Sequence, residues 1–325
     1  MSQQREHANG THGTLRGGTA VSRRVPAVRL FVLALAGAVA FAQDAGPGAG
    51  SQPRPPSSGF RSEDSLSYSY GSRFRTPFVA TAEQPGGADI ARNSIEFTHI
   101  DSWKYGSNFV DLNLRMSNDA EPAVGGGAGA LEVYGIFRAD FSFNKIGGTR
   151  RFGAGPLRDI ALEAGANLEA KNSAYSPEER TLFLGPNFQF KIPRGFLNLG
   201  VHIRKEWNHE AILGKADNYS ACLSFETNWS VPLPIRRVPL ALAGFATLNT
   251  PKGKDSFGND SVTEYLVRPR LMLDVGARAL HKRGFLEAGG GLEYWHNEYG
   301  KPASFPGTAE ITPFFQLTLR LGRAE

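Results

Sequence analysis

The chain lacks most of the devices that staple, anchor or activate a protein. Its 325 residues include a single cysteine, Cys222, so no intramolecular disulfide framework can form. No apolar run reaches the roughly 20 residues of a membrane helix. The longest, Leu30 to Ala42, is shorter and follows Arg23, Arg24 and Arg29. Metal spacings such as His-x-x-x-His are missing among His99, His202, His209, His281 and His296. No serine stands in a nucleophile elbow, and Gly125-Gly-Gly127 and Gly153-Ala-Gly155 lack the strand-to-helix context of a phosphate loop. No enzyme activity, cofactor or metal is therefore expected.

Charge of one sign is also missing. The formal net charge is +5, but Arg5, Arg16, Arg23, Arg24 and Arg29 lie before residue 43 with only Glu6 against them. Beyond that point 31 basic residues face 30 acidic ones. Without a basic patch interleaved with aromatics, nucleic acid is excluded as a partner. The run Leu30 to Ala42 ends in the small-x-small triplet Ala40-Phe41-Ala42, which marks residues 1–42 as a cleaved signal peptide. Residues 43–64, rich in proline, glycine and serine with little to bury, read as a disordered leader.

What remains is alternation. Val110 to Met116 reads Val-Asp-Leu-Asn-Leu-Arg-Met, with Asp111, Asn113 and Arg115 on one face of a strand and apolar groups on the other. From Leu131 to Phe143 the pattern recurs, with Glu132, Tyr134, Arg138 and Asp140 on one parity and Leu131, Val133, Phe137 and Phe141 on the other. Twelve such segments follow one another, at about residues 65–71, 93–101, 107–117, 130–144, 158–170, 180–192, 195–207, 217–230, 238–250, 262–275, 284–297 and 308–321. No helix is expected. Many segments exceed the five to six residues typical of soluble strands and match a tilted membrane strand of roughly 9 to 11.

Long polar connections alternate with shorter turns such as Pro193-Arg194-Gly195, although residues 145–157, 231–237 and 277–283 are longer than ideal turns. This rhythm is the habit of bacterial outer-membrane barrels. In hydrocarbon an unpaired strand edge leaves N–H and C=O groups that cost several kcal/mol each, so such a sheet must close. The fold class is therefore all-β: a transmembrane antiparallel β-barrel of about twelve strands over residues 65–325, embedded in outer-membrane lipid.

If the apolar parity meets lipid, the other lines a lumen. Asp111, Arg115, Glu132, Tyr134, Arg138, Asp140, Glu226, Arg268, Arg270, Glu293 and Trp295 are then the candidate solute-contacting residues. Mixed signs predict no strong ion preference. The same charges would also serve to pair across the lumen and rigidify it. Phe183, Phe245 and Phe314 share this parity, whereas Tyr219, Phe225, Trp229, Tyr265 and Tyr294 fall on the lipid parity, where those near strand ends read as an interfacial girdle.

Several of these segments, in order, resemble a known family. Ser65-Leu-Ser-Tyr-Ser-Tyr-Gly71, Phe97-Thr-His99, Lys104-Tyr-Gly-Ser-Asn-Phe109, Glu132-Val-Tyr134, Phe152-Gly-Ala-Gly-Pro156, Pro269-Arg-Leu-Met-Leu-Asp274 and Glu293-Tyr-Trp-His-Asn297 are similar to the Tsx-like nucleoside-specific channel-forming proteins. The resemblance implies a monomeric outer-membrane barrel passing nucleosides through weak sites of aromatic and ionisable residues, inserted by the barrel-assembly machinery. The chain ends Leu319-Arg-Leu-Gly-Arg-Ala-Glu325, without the terminal aromatic which that machinery usually reads. A non-conducting structural or adhesion barrel, an outer-membrane enzyme and a soluble secreted β protein remain alternatives on sequence alone.

Overall fold

A computed structural model describes residues 61–324, apart from Gly127 and residues 175–176, 211–213 and 236–237. The signal peptide expected over 1–42 lies outside the described residues, as does most of the leader expected over 43–64. The first strand begins at Arg61, because the polar run Arg61 to Asp64 finds a backbone ladder on both sides.

Thirteen strands form one antiparallel sheet: β1 (Arg61–Phe74), β2 (Ile90–Trp103), β3 (Gly106–Ser117), β4 (Leu131–Ser142), β5 (Leu157–Lys171), β6 (Arg180–Phe190), β7 (Phe196–Glu210), β8 (Lys215–Asn218), β9 (Cys222–Pro232), β10 (Leu240–Asn249), β11 (Glu264–Asp274), β12 (Leu286–His296) and β13 (Ala309–Ala324). Each main strand pairs with its sequence neighbours, β1 pairs with β13, and β6 pairs with β7, so the sheet is a closed ring. β8 and β9 both pair with β7, one above the other. Together they make a single stave interrupted at residues 219–221, and the ring has twelve staves. No helix among the described residues is long and apolar enough to cross a membrane.

The side-chain faces sort as the alternation requires. Leu112, Ile203, Leu292 and Ile311 all stand on the outer parity and are 52%, 61%, 49% and 64% exposed. With Leu66, Ile95, Val133, Phe137, Leu182, Leu184, Leu223 and Phe315 they form an apolar belt around the ring. An uncovered belt of this extent is stable only against an apolar medium. The inner parity holds the buried polar residues, among them Ser67, Asp111, Asn113, Glu163, His202, Arg204 and Thr312. A soluble sandwich would reverse this arrangement, and the closed ring rules it out.

The two ends differ. β2 and β3 join through Lys104-Tyr105, and Trp103 packs edge-on against Tyr105 and Phe141. β6 and β7 join through residues 191–195, where Gly195 has φ 83° and a Cβ would lie 1.8 Å from the Ser230 carbonyl oxygen. Only glycine fits there. The two longest connections at this end fold into helical turns that the alternation does not reveal. Ser142 Oγ caps Phe143–Gly147 by accepting from Lys145 N at 3.0 Å, and Asp274 caps Val275–Ala279 by accepting from Ala277 N at 2.8 Å. At the opposite end long loops meet over the barrel. Phe78 packs against Phe257 and Phe305 at centroid distances of 6.2 and 5.7 Å, tying the β1–β2, β10–β11 and β12–β13 loops together.

Candidate functional site: the lumen

Every residue proposed from the alternation sits on the inner face, but the residues divide into layers. At the long-loop end charges interlock. Arg115 Nη1 lies 2.5 Å from Glu132 Oε1, and Lys171 Nζ reaches Glu132 at 3.3 Å and Glu121 at 2.5 Å. Glu121 comes from the β3–β4 loop and is fully buried. Burial alone would raise its carboxyl, but Lys171 and Arg92 outweigh that and hold it below the ordinary glutamate range. A second cluster joins Arg204 to Glu179 at 3.1 Å and to Glu206 at 2.5 Å, with Lys252 2.5 Å from Glu206. Sequence parity could not find Glu121 or Lys252, because both arrive on loops.

The β12–β13 loop enters this layer. Glu298, Tyr299, Lys301 and Thr308 are buried. Tyr299 N donates to Glu264 Oε1 at 3.0 Å, and its hydroxyl donates to Glu169 Oε1 at 2.5 Å. Glu169 is on β5 and the loop leaves β12, six staves away on a ring of twelve, so this hydrogen bond crosses the full width of the lumen. Lys301 ties the loop to Asp255 of the β10–β11 loop. Burial would raise the Asp255 carboxyl, but the Lys301 ammonium and the Asn259 amide hold it below its ordinary value.

Arg138 occupies mid-height. Its Nη2 donates to both oxygens of Glu226 at 2.9 and 3.1 Å, and Nη1 donates to Asn167 Oδ1 at 2.8 Å. β4 and β9 are four staves apart, so this fork spans a chord of the bore. Nearby, His202 Nε2 is 3.0 Å from Glu163 Oε1, and Asn187 Nδ2 donates to Glu163 Oε2 at 2.8 Å. Arg268 pairs with Glu293 at 3.1 Å. Asp111 accepts from Thr98 Oγ1 at 2.8 Å, and Asp140 accepts from Asn187 and Gln189. Arg270 alone of the proposed cations has no ion pair or hydrogen bond among the described residues, and it is partly exposed.

The aromatic faces are taken. Arg138 lies 4.1 Å over the Phe183 ring, Arg268 4.4 Å over Phe314 and Arg115 5.1 Å over Tyr134. These cation–π contacts occupy surfaces that parity alone leaves free for a planar solute. Trp295 Nε1 donates to Glu264 at 2.9 Å, with the ring tilted against Tyr299. Phe245 is partly exposed and carries no such cap. Two girdle expectations fail. Tyr219 is buried with its hydroxyl donating to Asp217, since the break between β8 and β9 resets the parity there. Trp229 keeps its outer parity but is buried against Leu197, Ala246 and Val267.

Toward the short-turn end small uncharged groups, Ser67, Ser69, Asn187, Asn198, Asn228, Gln316 and Thr318, share the inner positions with charged ones, Asp140 and an Arg320 paired with Glu63 and Glu287. Asn228 is exposed although it faces inward. The lumen is thus polar along its length, and its braced charge clusters gather at mid-height and at the long-loop end.

The ring of staves, its apolar belt and its polar interior decide the architecture. The chain is a membrane-spanning β-barrel. No family model and no curated sequence matches it. Among solved structures it is similar to the translocator domain of the autotransporter NalP from Neisseria meningitidis (10% identity, 91% of this chain and 96% of that one, TM-score 0.38). It is also similar to a KdgM porin (5% identity, 78% and 98% coverage, TM-score 0.38) and to the outer membrane protein OpdK from Pseudomonas aeruginosa (6%, 82% and 99%, TM-score 0.32). Likenesses this distant leave the assignment of the barrel to its own ladder of strands.

Proposed function

We propose that this protein is a passive, non-enzymatic channel of the bacterial outer membrane that admits small polar solutes. The observation that carries the reading is the inner face itself: a continuous hydrophilic lining of uncharged groups and charges of both signs, inside a ring closed to lipid. A paired, mixed-sign constriction disfavours bare ions of either sign and suits solutes that are neutral or zwitterionic and rich in hydrogen-bonding groups. Nucleosides lead this class because of the resemblance of the Ser65 to Asn297 segments to Tsx-like channels. Phe245 and Arg270 are the lumen groups whose surfaces are free to meet such a solute, Phe245 by stacking and Arg270 by donating to ring or ribose oxygens.

The trans-lumen bond of Tyr299 to Glu169 favours a second reading, a barrel whose lumen is closed at the long-loop end and whose role is structural or adhesive. Proteoliposome uptake separates the two. A channel passes adenosine and thymidine faster than sucrose, and either nucleoside reduces the current in planar bilayers. Equal, background rates for all three solutes and no conductance would establish the closed barrel.

A further inference from the structure

We infer that Glu163, His202 and Glu226 form a lumen site for a divalent transition-metal ion of the zinc class. The three side chains come from β5, β7 and β9, and their donor atoms all lie within 4.8 Å of one another. His202 is 0% exposed, and neither of its ring nitrogens has a hydrogen-bond partner. Its Nε2 is nonetheless 3.0 Å from Glu163 Oε1. Two atoms this close without the alignment of a hydrogen bond are placed as two ligands of one ion are placed, with the ring lone pair aimed at a shared centre.

Charge points the same way. Two carboxylates face a single guanidinium, Arg138, since Arg204 is committed to Glu179 and Glu206. Carboxylates therefore outnumber the guanidinium in a largely buried setting, which a cation relieves. The outer contacts suit ligation too. Asn187 holds Glu163 by Oε2 and leaves Oε1 available, Arg138 orients Glu226, and Phe183 packs edge-on against the imidazole at 6.0 Å between centroids. One imidazole with two carboxylates, leaving a position for water, is a donor set for zinc, nickel or copper and a poor one for calcium or magnesium, which take oxygen ligands. Spacing along the sequence could not reveal the site, because its ligands are brought together only by the pairing of β5, β6, β7 and β9. An ion here would tie three staves of the wall.

Full-length protein, refolded in detergent and shown to be barrel-folded by its mobility shift on unheated gels, is equilibrated with zinc alone. The expected result is one tightly held zinc per chain, a raised melting temperature, no displacement by excess calcium or magnesium, and loss of at least about 100-fold in affinity in His202→Gln or Glu163→Gln. X-ray absorption at the zinc edge needs no variant and should show one imidazole among oxygen ligands. A folded wild-type barrel that takes up no stoichiometric zinc would overturn the inference. So would a folded His202→Gln variant that binds as wild type does, or a spectrum with no imidazole or with two.

Discussion

Arg138 is the side chain whose removal reports most about how this lumen is held. It donates three times to Glu226 across a chord of the ring, once to Asn167, and to the backbone oxygens of Phe137 and Ala166 at 2.9 and 3.2 Å. Its side chain is 11% exposed and that of Glu226 is 19% exposed, so solvent screens the pair weakly. Arg138→Met removes the guanidinium and strands the Glu226 carboxylate. Breaking one side of a buried pair costs about 3–5 kcal/mol, most of it the penalty of the charge left behind. Arg138→Met combined with Glu226→Leu removes both charges, and such paired replacements come out near neutral, so the double variant should recover all but about 1–2 kcal/mol. Urea unfolding of the vesicle-inserted barrel, followed by tryptophan fluorescence, measures all three proteins. Single-channel current adds an independent readout: the single variant should conduct more than wild type because the chord is gone. A single variant as stable as wild type, or a double variant no more stable than the single, would refute the bracing role.

Other perturbations test other layers. Tyr299→Phe deletes the trans-lumen bond to Glu169 and should raise conductance at a cost of about 1–3 kcal/mol in unfolding free energy, because a buried carboxyl oxygen loses its donor, whereas unchanged current would place the constriction elsewhere. Leu112→Arg sets a charge in the lipid belt and should destabilise the inserted barrel by about 2–4 kcal/mol in urea titrations, while Asn113→Ser on the opposite parity should cost far less. Phe245→Ala should weaken nucleoside block of the current about tenfold or more, if a stacking contact of about 1–3 kcal/mol is lost. The Asp255–Lys301 tie has a defined pH response. A depressed carboxyl stabilises the folded loop above its ordinary value of 3.8 and loses that contribution as pH falls through the lower folded value. Loop closure, read as conductance, should thus be unchanged between pH 7 and pH 5 and be lost only in stronger acid, a loss that Asp255→Asn should shift to neutral pH.

Period-two alternation revealed the staves and the face each residue uses, because a membrane wall imposes two solvents on every strand. All eleven proposed lumen residues, from Asp111 to Trp295, face inward. Local sequence could not reveal what they face. The Arg138–Glu226 and Tyr299–Glu169 contacts depend on which staves stand across the bore, a property of closure rather than of any segment. Arg115, Arg138 and Arg268 cover the rings of Tyr134, Phe183 and Phe314 for the same reason. Parity failed where the chain leaves the ladder, as at Tyr219, and it was silent about loops that fold inward, which is how Glu121, Lys252 and Tyr299 escaped notice. The helical turns after Ser142 and Asp274 are too short for helical periodicity to register. Ser142 and Asp274, which cap them, are the signal that could have found them.

The measurement that tests the account most directly is cysteine accessibility in vesicles. In a Cys222→Ser background, a cysteine placed at Asn228 should react readily with a charged, membrane-impermeant thiol reagent applied from the side of the short turns. One placed at Leu182 should resist it and react only with an apolar, lipid-soluble reagent. The reverse pattern, or equal labelling of both by the charged reagent, would contradict a barrel with lipid outside and water within.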